Sequence, residues 1–287
     1  MAQINTTVGD LVGNTAKILY YIQKAKAQQA VLVAFPEMAI TGYPPEDLLF
    51  QPSFIQANIQ KMHQVVANSQ GITVVVGFVD SNSAIHNAAA VAHDGQLLGI
   101  YHKMYLPNYG VFDENRYFRA GNQCPVFVIN GIHIGVNICE DIWYDLGPTN
   151  VQREAGAEVI VNINASPYCA GKRDFRERMV ATRASGNEVY VSYTNLVGGQ
   201  DELVFDGGSM VLDHKGEMVA RASQFEEDLL VVDLDVDAVF NHRLRDPMPR
   251  EERSILGSIG VPQVIHHSDY TPGQPKPAIS SPICEPL

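Results

Sequence analysis

Three residues with reactive side chains share one context. Glu37 follows the apolar run AVLVAFP, Lys103 follows LLGIYH, and Cys139 follows GIHIGVNI. Ligands in open α/β sheets bind beyond the carboxyl ends of strands, so a carboxylate, an ammonium and a thiol placed there would meet at one rim. Such a set can cleave an amide. The thiol attacks, Glu37 takes its proton and later gives one to the leaving amine, and Lys103 stabilises the oxyanion. Glu140 and Asp141 directly follow Cys139, and acidic neighbours raise a thiol's pKa. Lys103 is expected to offset them and favour the thiolate, while the peptide N–H of Glu140 joins Lys103 as an oxyanion donor. Residue type alone also admits an inert buried cysteine, a solvated strand-end lysine and an ordinary Pro36-Glu37 turn.

These positions need elements to hold them. An amphipathic helix is expected over 15–29 and a buried strand over 30–35. A helix over 46–69, interrupted near Pro52, precedes a strand over 72–80. Residues 87–103 read as a hairpin around Asp94-Gly95, and 125–138 as another around Asn130-Gly131. A Gly/Pro/Tyr-rich loop covers 104–123. Further on come a helix over 148–156, a strand over 159–164 and a helix over 171–186 stopping at Gly186. Strands at 189–194, 208–213, 217–222 and 229–234 complete the pattern. Buried strands alternating with helices predict an α/β fold with mixed sheets.

From residue 257 the sequence holds six prolines after residue 260 and little periodicity, which predicts a linker or extended arm over 257–287 beyond a domain of 1–256. Both ends read as those of a piece of a longer chain.

With 20 basic and 32 acidic residues the net charge is −12, a sign that repels nucleic acid and anionic membrane surfaces. No run of eighteen apolar residues offers a membrane span, and MAQINTTVGD lacks the pattern of a secretory signal. Four scattered cysteines without C-x-x-C predict a reduced, cytoplasmic setting. There is no H-E-x-x-H, no G-x-S-x-G elbow and no Walker loop. Zinc ligand spacing is likewise missing, so no metal site is expected.

The motifs FPEMAITGYPPEDLL (35–49), YHKMYLPNYGVFDENRYF (101–118) and GVNICEDIW (135–143) resemble those of the nitrilase, or carbon–nitrogen hydrolase, superfamily across residues 1 to about 250. That resemblance implies a four-layer αββα sandwich and a Glu37–Lys103–Cys139 triad. AQINTTVGDLVGN (2–14), LPNYGVFDE (106–114) and NASPYCAGKRDFRE (164–177) look like the glutaminase domain of the glutamine-dependent NAD(+) synthetase family. The implied reaction converts glutamine and water to glutamate and ammonia through a Cys139 thioester.

By the same resemblance Tyr109, Ser166 and Lys172 contact glutamine. Glu114, in the loop that follows Lys103, is expected to orient Lys103 or the substrate ammonium, and Glu140 is expected to join the substrate site. Without the resemblance, Lys172 reads as an exposed first-turn residue and Ser166-Pro167 as a turn. The resemblance also implies a C-terminal synthetase domain as partner, carrying an S-G-G-x-D-S loop absent from this sequence. ATP and Mg are expected only there, and no cofactor in this chain. A homo-oligomer is expected. The rival readings are a stand-alone amidase or nitrilase for another small amide, and an assembly module idle without its synthetase.

Overall fold

The computed structural model describes residues 1–244, 257–269, 279 and 281–286. The chain opens with β1 (Ala2–Gln3), α1 (Leu11–Ala27), β2 (Leu32–Ala34) and α2 (Pro52–Ala67). Strands β3 (Thr73–Asn82), β4 (Ala84–His93), β5 (Gln96–His102), β6 (Gln123–Ile129) and β7 (Ile132–Ile138) follow. Next are α3 (Pro148–Glu154), β8 (Val159–Asn164), α4 (Lys172–Asn187), β9 (Tyr190–Asn195), β10 (Val197–Gln200) and β11 (Leu203–Asp206). The remainder comprises β12 (Met210–Leu212), β13 (Met218–Arg221), β14 (Asp228–Leu229), α5 (Asp237–Arg243) and β15 (Val261–His266).

Two mixed sheets face each other. One has the order β2-β3-β4-β5 and the other β13-β12-β9-β8-β7-β6-β15. The two-residue period of β3 explains the layering. Val74, Val76 and Phe78 pack with Ile18, Tyr21 and Ile22 of α1 and with Met62, Val65 and Val66 of α2. Val75, between them in sequence, packs with Val136, Ile138 and Val161 of the other sheet. That second sheet turns Val126, Ile160 and Val191 outward onto Met179, Val180 and Ala184 of α4. The layers are helix, sheet, sheet, helix: the predicted αββα sandwich.

Several boundaries move for identifiable reasons. Helix α1 starts four residues before the expected position, because the Asp10 side chain accepts from the Gly13 N–H (2.8 Å) and caps it. Pro52 does not interrupt a helix but begins α2, where its missing N–H is harmless; a separate 3-10 turn covers Glu46–Phe50. Gly186 lies within α4, which ends instead at Glu188 in the left-handed region (φ 51°).

The hairpin β10–β11 and helix α5 were not anticipated. Nor was β15, which adds a parallel strand beside β6 within the segment expected to be an arm. Its proline, Pro262, hid it, since proline enters sheets only at edges, and β15 is an edge. The expected boundary at 256/257 falls against residues 245–256, outside the described residues.

Candidate active site

Strands β2, β3 and β5 run in one direction, so the residues following β2 and β5 leave the same end of the smaller sheet. Glu37 leaves β2 through a tight turn in which Met38 has φ 47°. The turn lies directly against Gly77 of β3, where a Cβ would sit closer than 3.0 Å to Pro36 O and Met38 N. Gly77→Ala should therefore displace the Glu37 turn. We expect a loss of roughly 100-fold in turnover, the scale of a 1 Å misplacement, with melting lowered by the overpacking; kinetics and thermal melting check both. Lys103 leaves β5, its N–H held by Asn87 O (2.8 Å). Cys139 leaves β7 of the other sheet and opens a 3-10 turn, Cys139–Ile142, with φ 44°. Such left-handed geometry is uncommon for a residue with a Cβ and persists where its surroundings enforce it.

The structure joins the first two in a buried network. Lys103 Nζ donates to Glu37 Oε1 (2.7 Å) and to Glu114 Oε1 (2.8 Å), and all three residues are at most 4% exposed. Asn87 Nδ2 donates to Glu37 Oε1 (2.7 Å), and the Ala165 N–H donates to Glu37 Oε2 (2.9 Å). Tyr43 Oη donates to Glu114 Oε1 (3.1 Å). Burial opposes the charge on Lys103, yet Glu114 and Glu37 outweigh it and hold the ammonium well above its ordinary pKa. Burial pushes the Glu114 carboxyl up to about 7, against the pull of Lys103.

Cys139 feels all three charges. Burial and Glu37 raise its thiol well above the usual value; Lys103 pulls it down, and Glu140 and Glu114 push it further up. Here the geometry departs from the expectation that Lys103 favours a standing thiolate. Its charge is shared between two carboxylates, so the balance around Cys139 is acidic. The thiol is therefore held in its protonated form, and a nucleophilic role would require a base to take that proton.

Glu140 is buried, and its two carboxylate oxygens accept from Tyr109 Oη at 2.8 and 2.9 Å. The Tyr109 ring itself is exposed. Lys172 is the first residue of α4, following Gly171 in the left-handed region (φ 79°). Its ammonium lies 5.4 Å from the Trp143 ring centroid and forms no ion pair among the described residues. Burial lowers its pKa, while the charges of Cys139 and Glu140 act on it in the opposite sense. Ser166 follows β8 and is buried; its N–H donates to Asn195 Oδ1 (2.9 Å). A cation, a carboxylate and the thiol thus share one neighbourhood at the strand ends.

Sequence reading missed Asn87, Tyr43 and Trp143. Asn87 carried a signal: it is the polar residue opening the otherwise apolar run NAAAVA. Also missed was a buried amide ladder beneath the site, in which Asn164 Nδ2 donates to Asn162 Oδ1 (2.8 Å) and Asn162 Nδ2 to Asn137 Oδ1 (2.8 Å). Among the described residues no group of three or more His, Cys, Asp or Glu side chains could hold a metal, and no helix is long and apolar enough to cross a membrane.

Residues 1–242 match the family model described as carbon-nitrogen hydrolase. The glutamine-dependent NAD(+) synthetase of Aquifex aeolicus is 47% identical over 273 residues, which is 91% of this chain and 47% of that protein. Its namesake in Thermotoga maritima is 45% identical over 254 residues, 87% of this chain and 44% of that one. The chain thus spans about half the length of these curated relatives. Among solved structures, glutamine-dependent NAD+ synthetase from Acinetobacter baumannii is similar with a TM-score of 0.78 and 39% identity, covering 82% of this chain and 45% of that one. A mutant of the Nesterenkonia AN1 amidase from the nitrilase superfamily reaches 0.73 at 25% identity, covering 85% and 93%.

Proposed function

The chain belongs to the carbon–nitrogen hydrolase family, and from that premise we propose that it hydrolyses the side-chain amide of glutamine. The observation carrying this reading is the pairing of opposite charges beside the thiol: Lys172, at a helix N-terminus without an ion-pair partner among the described residues, and Glu140. An α-amino acid head presents a carboxylate and an ammonium, which these two groups complement. The glutamine-dependent relatives support the same choice.

In the proposed reaction Cys139 Sγ bonds to the amide carbon while its proton passes to Glu37. The oxyanion is held by Lys103 Nζ and the Glu140 N–H, one of the donors that a helical turn leaves unpaired at its start. Glu37 returns the proton to the nitrogen, the C–N bond breaks, and ammonia leaves a thioester. Water then attacks the thioester, giving its proton to Glu37. Collapse releases glutamate, and the proton returns to sulfur. Tyr109 holds Glu140, Ser166 contacts the substrate, and Glu114 fixes Lys103.

The proposal extends to ammonia supply for an NAD(+)-forming synthetase domain corresponding to the rest of the relatives' length. ATP and Mg would act there, with no cofactor at this site. A cytoplasmic, homo-oligomeric enzyme completes it; four free cysteines agree with a reducing setting, and light scattering tests assembly.

Ammonia release from glutamine, asparagine and simple amides decides the substrate. Glutamine should lead in kcat/KM by roughly 100-fold or more, since a built polar site rejects analogues lacking its partners. A flat profile across simple amides would favour a general amidase. Lys172→Met should raise KM for glutamine by on the order of 10–100-fold, the scale of a lost charge-assisted bond, with a much smaller change in kcat. Equal loss toward acetamide would remove Lys172 from carboxylate recognition.

A further inference from the structure

Two acidic residues follow Cys139, and the proposed chemistry uses only Glu140. Asp141 is wholly buried, with 0% exposure. Its Oδ1 accepts from the N–H groups of Met104 (3.1 Å) and Tyr105 (2.9 Å). Its Oδ2 accepts from Tyr101 Oη (2.7 Å) and the Ile138 N–H (3.0 Å). Tyr101, Met104 and Tyr105 bracket Lys103 in the chain, and Ile138 immediately precedes Cys139. One carboxylate therefore ties the end of β5 in one sheet to the end of β7 in the other. Those two ends carry the ammonium and the thiol. The bond back to Ile138 also closes the turn that holds Cys139 at φ 44°.

We propose that Asp141 is a positioning residue whose ionised carboxylate sets the spacing between Lys103 and the left-handed Cys139 turn without touching substrate. The proposal rests on the reading of Cys139 as nucleophile and Lys103 as oxyanion donor. Four donors converge on two oxygens, so only an acceptor-only group satisfies all of them. An amide or a protonated carboxyl must aim a hydrogen at one of these donor pairs. Burial pushes the Asp141 carboxyl up to about 6, while the bonds from Tyr105, Tyr101 and Ile138 and the charge of Lys103 act to lower it. The other titratable groups acting on this cluster are Tyr101, Tyr105 and Cys124, each raised first by its burial and so neutral where Asp141 titrates. The clamp is thus complete above pH 6 and loosens as pH falls through it.

The test compares wild type, Asp141→Asn and Tyr101→Phe in a chain whose exposed Cys169 and partly exposed Cys284 are alanine. Steady-state kinetics with glutamine, iodoacetamide labelling of Cys139 and thermal melting are measured near pH 8. Asp141→Asn should lose roughly 100-fold in kcat with KM within about threefold, because misplacement rather than binding is affected. Its labelling should slow by about tenfold, and the gap to wild type should narrow as pH falls through 6, where the wild-type carboxyl takes up a proton. Tyr101→Phe keeps the charge and removes one donor, so its kcat should fall by about three- to tenfold.

A kcat within about threefold of wild type, or a loss confined to KM, overturns the proposal. So does a labelling gap that stays constant with pH. If Asp141→Asn does not fold, the Tyr101→Phe kinetics and the wild-type labelling profile carry the test: unchanged kcat together with no loss of reactivity near pH 6 beyond simple thiol titration refutes it. Labelling needs no glutamine, so a wild type inert toward glutamine would sink the substrate assignment while leaving Asp141 separately tested.

Discussion

Cys139→Ala should abolish ammonia release from glutamine, with a loss of roughly 10⁴-fold or more, the scale on which removal of a catalytic nucleophile registers. The alanine chain should still fold. Cys139 is 5% exposed, and the turn around it is held by Asp141, which accepts from the Ile138 N–H. Thermal melting and ammonia release are measured together. Activity above a few per cent of wild type would remove Cys139 from the mechanism. Cys139→Ser should fare little better, because a serine hydroxyl is far less acidic than a thiol and Glu37 would have to deprotonate it. Cys124→Ala, Cys169→Ala and Cys284→Ala should keep their activity. Cys124 is buried beside Met104, with its thiol pushed up to about 12 by burial, and has no role in the proposed chemistry.

Lys103→Met and Glu37→Gln should each cost on the order of 10²–10⁴-fold in kcat, by different routes. Loss of Lys103 removes the proposed oxyanion donor and the only cation among the strongest influences on the Cys139 pKa. Iodoacetamide labelling should then require higher pH than in wild type, whose thiol already stands well above its ordinary value. A labelling profile that does not move would refute that electrostatic role.

Lys103→Met also leaves Glu37 and Glu114 buried together without their shared cation, a defect of about 3–5 kcal/mol. The sign of its pH dependence follows. Carboxyls whose folded pKa is raised are best tolerated when protonated, so stability is greatest at low pH and is lost as pH rises through the raised pKa. Glu114 already stands at about 7 with Lys103 present, and removing Lys103 takes away a group that lowers it. The melting deficit of Lys103→Met relative to wild type should therefore be larger near pH 8 than near pH 6. Glu37→Gln fails otherwise: Oε1 faces Lys103 and Asn87 and Oε2 faces the Ala165 N–H, so the new amide must turn hydrogens toward a donor while losing its basicity.

Much of this protein was legible along the chain. AVLVAF declares a buried strand because its apolar side chains leave no polar face, and GIHIGVNI does so because Ile132, Ile134, Val136 and Ile138 recur at every second position; the residue that ends each run is thereby placed at a sheet rim. Asp94-Gly95 and Asn130-Gly131 declare hairpins because their left-handed backbone suits aspartate, asparagine and glycine. Glu37, Lys103 and Cys139 were singled out as candidates in this way, and the family resemblance of the motifs around them added the triad.

What the linear pattern could not decide was how charges add once strands from two sheets approach. Glu114 and Asn87 lie far apart in sequence from Glu37, yet both share its cluster; burial first, then Glu37, with Glu140 and Glu114 behind it, turns an expected thiolate into a protonated thiol. Asp141 looked like an acidic nuisance beside a cysteine. Only folding turns its carboxylate away from the thiol and onto Tyr101, Met104, Tyr105 and Ile138. Strand β15 likewise has too little apolar pattern to announce itself, and exists because β6 offers an unpaired edge whose backbone bonds it completes. Local sequence sets which residues can end a strand; the sum of distances across the sandwich sets their protonation, and that sum exists only in three dimensions.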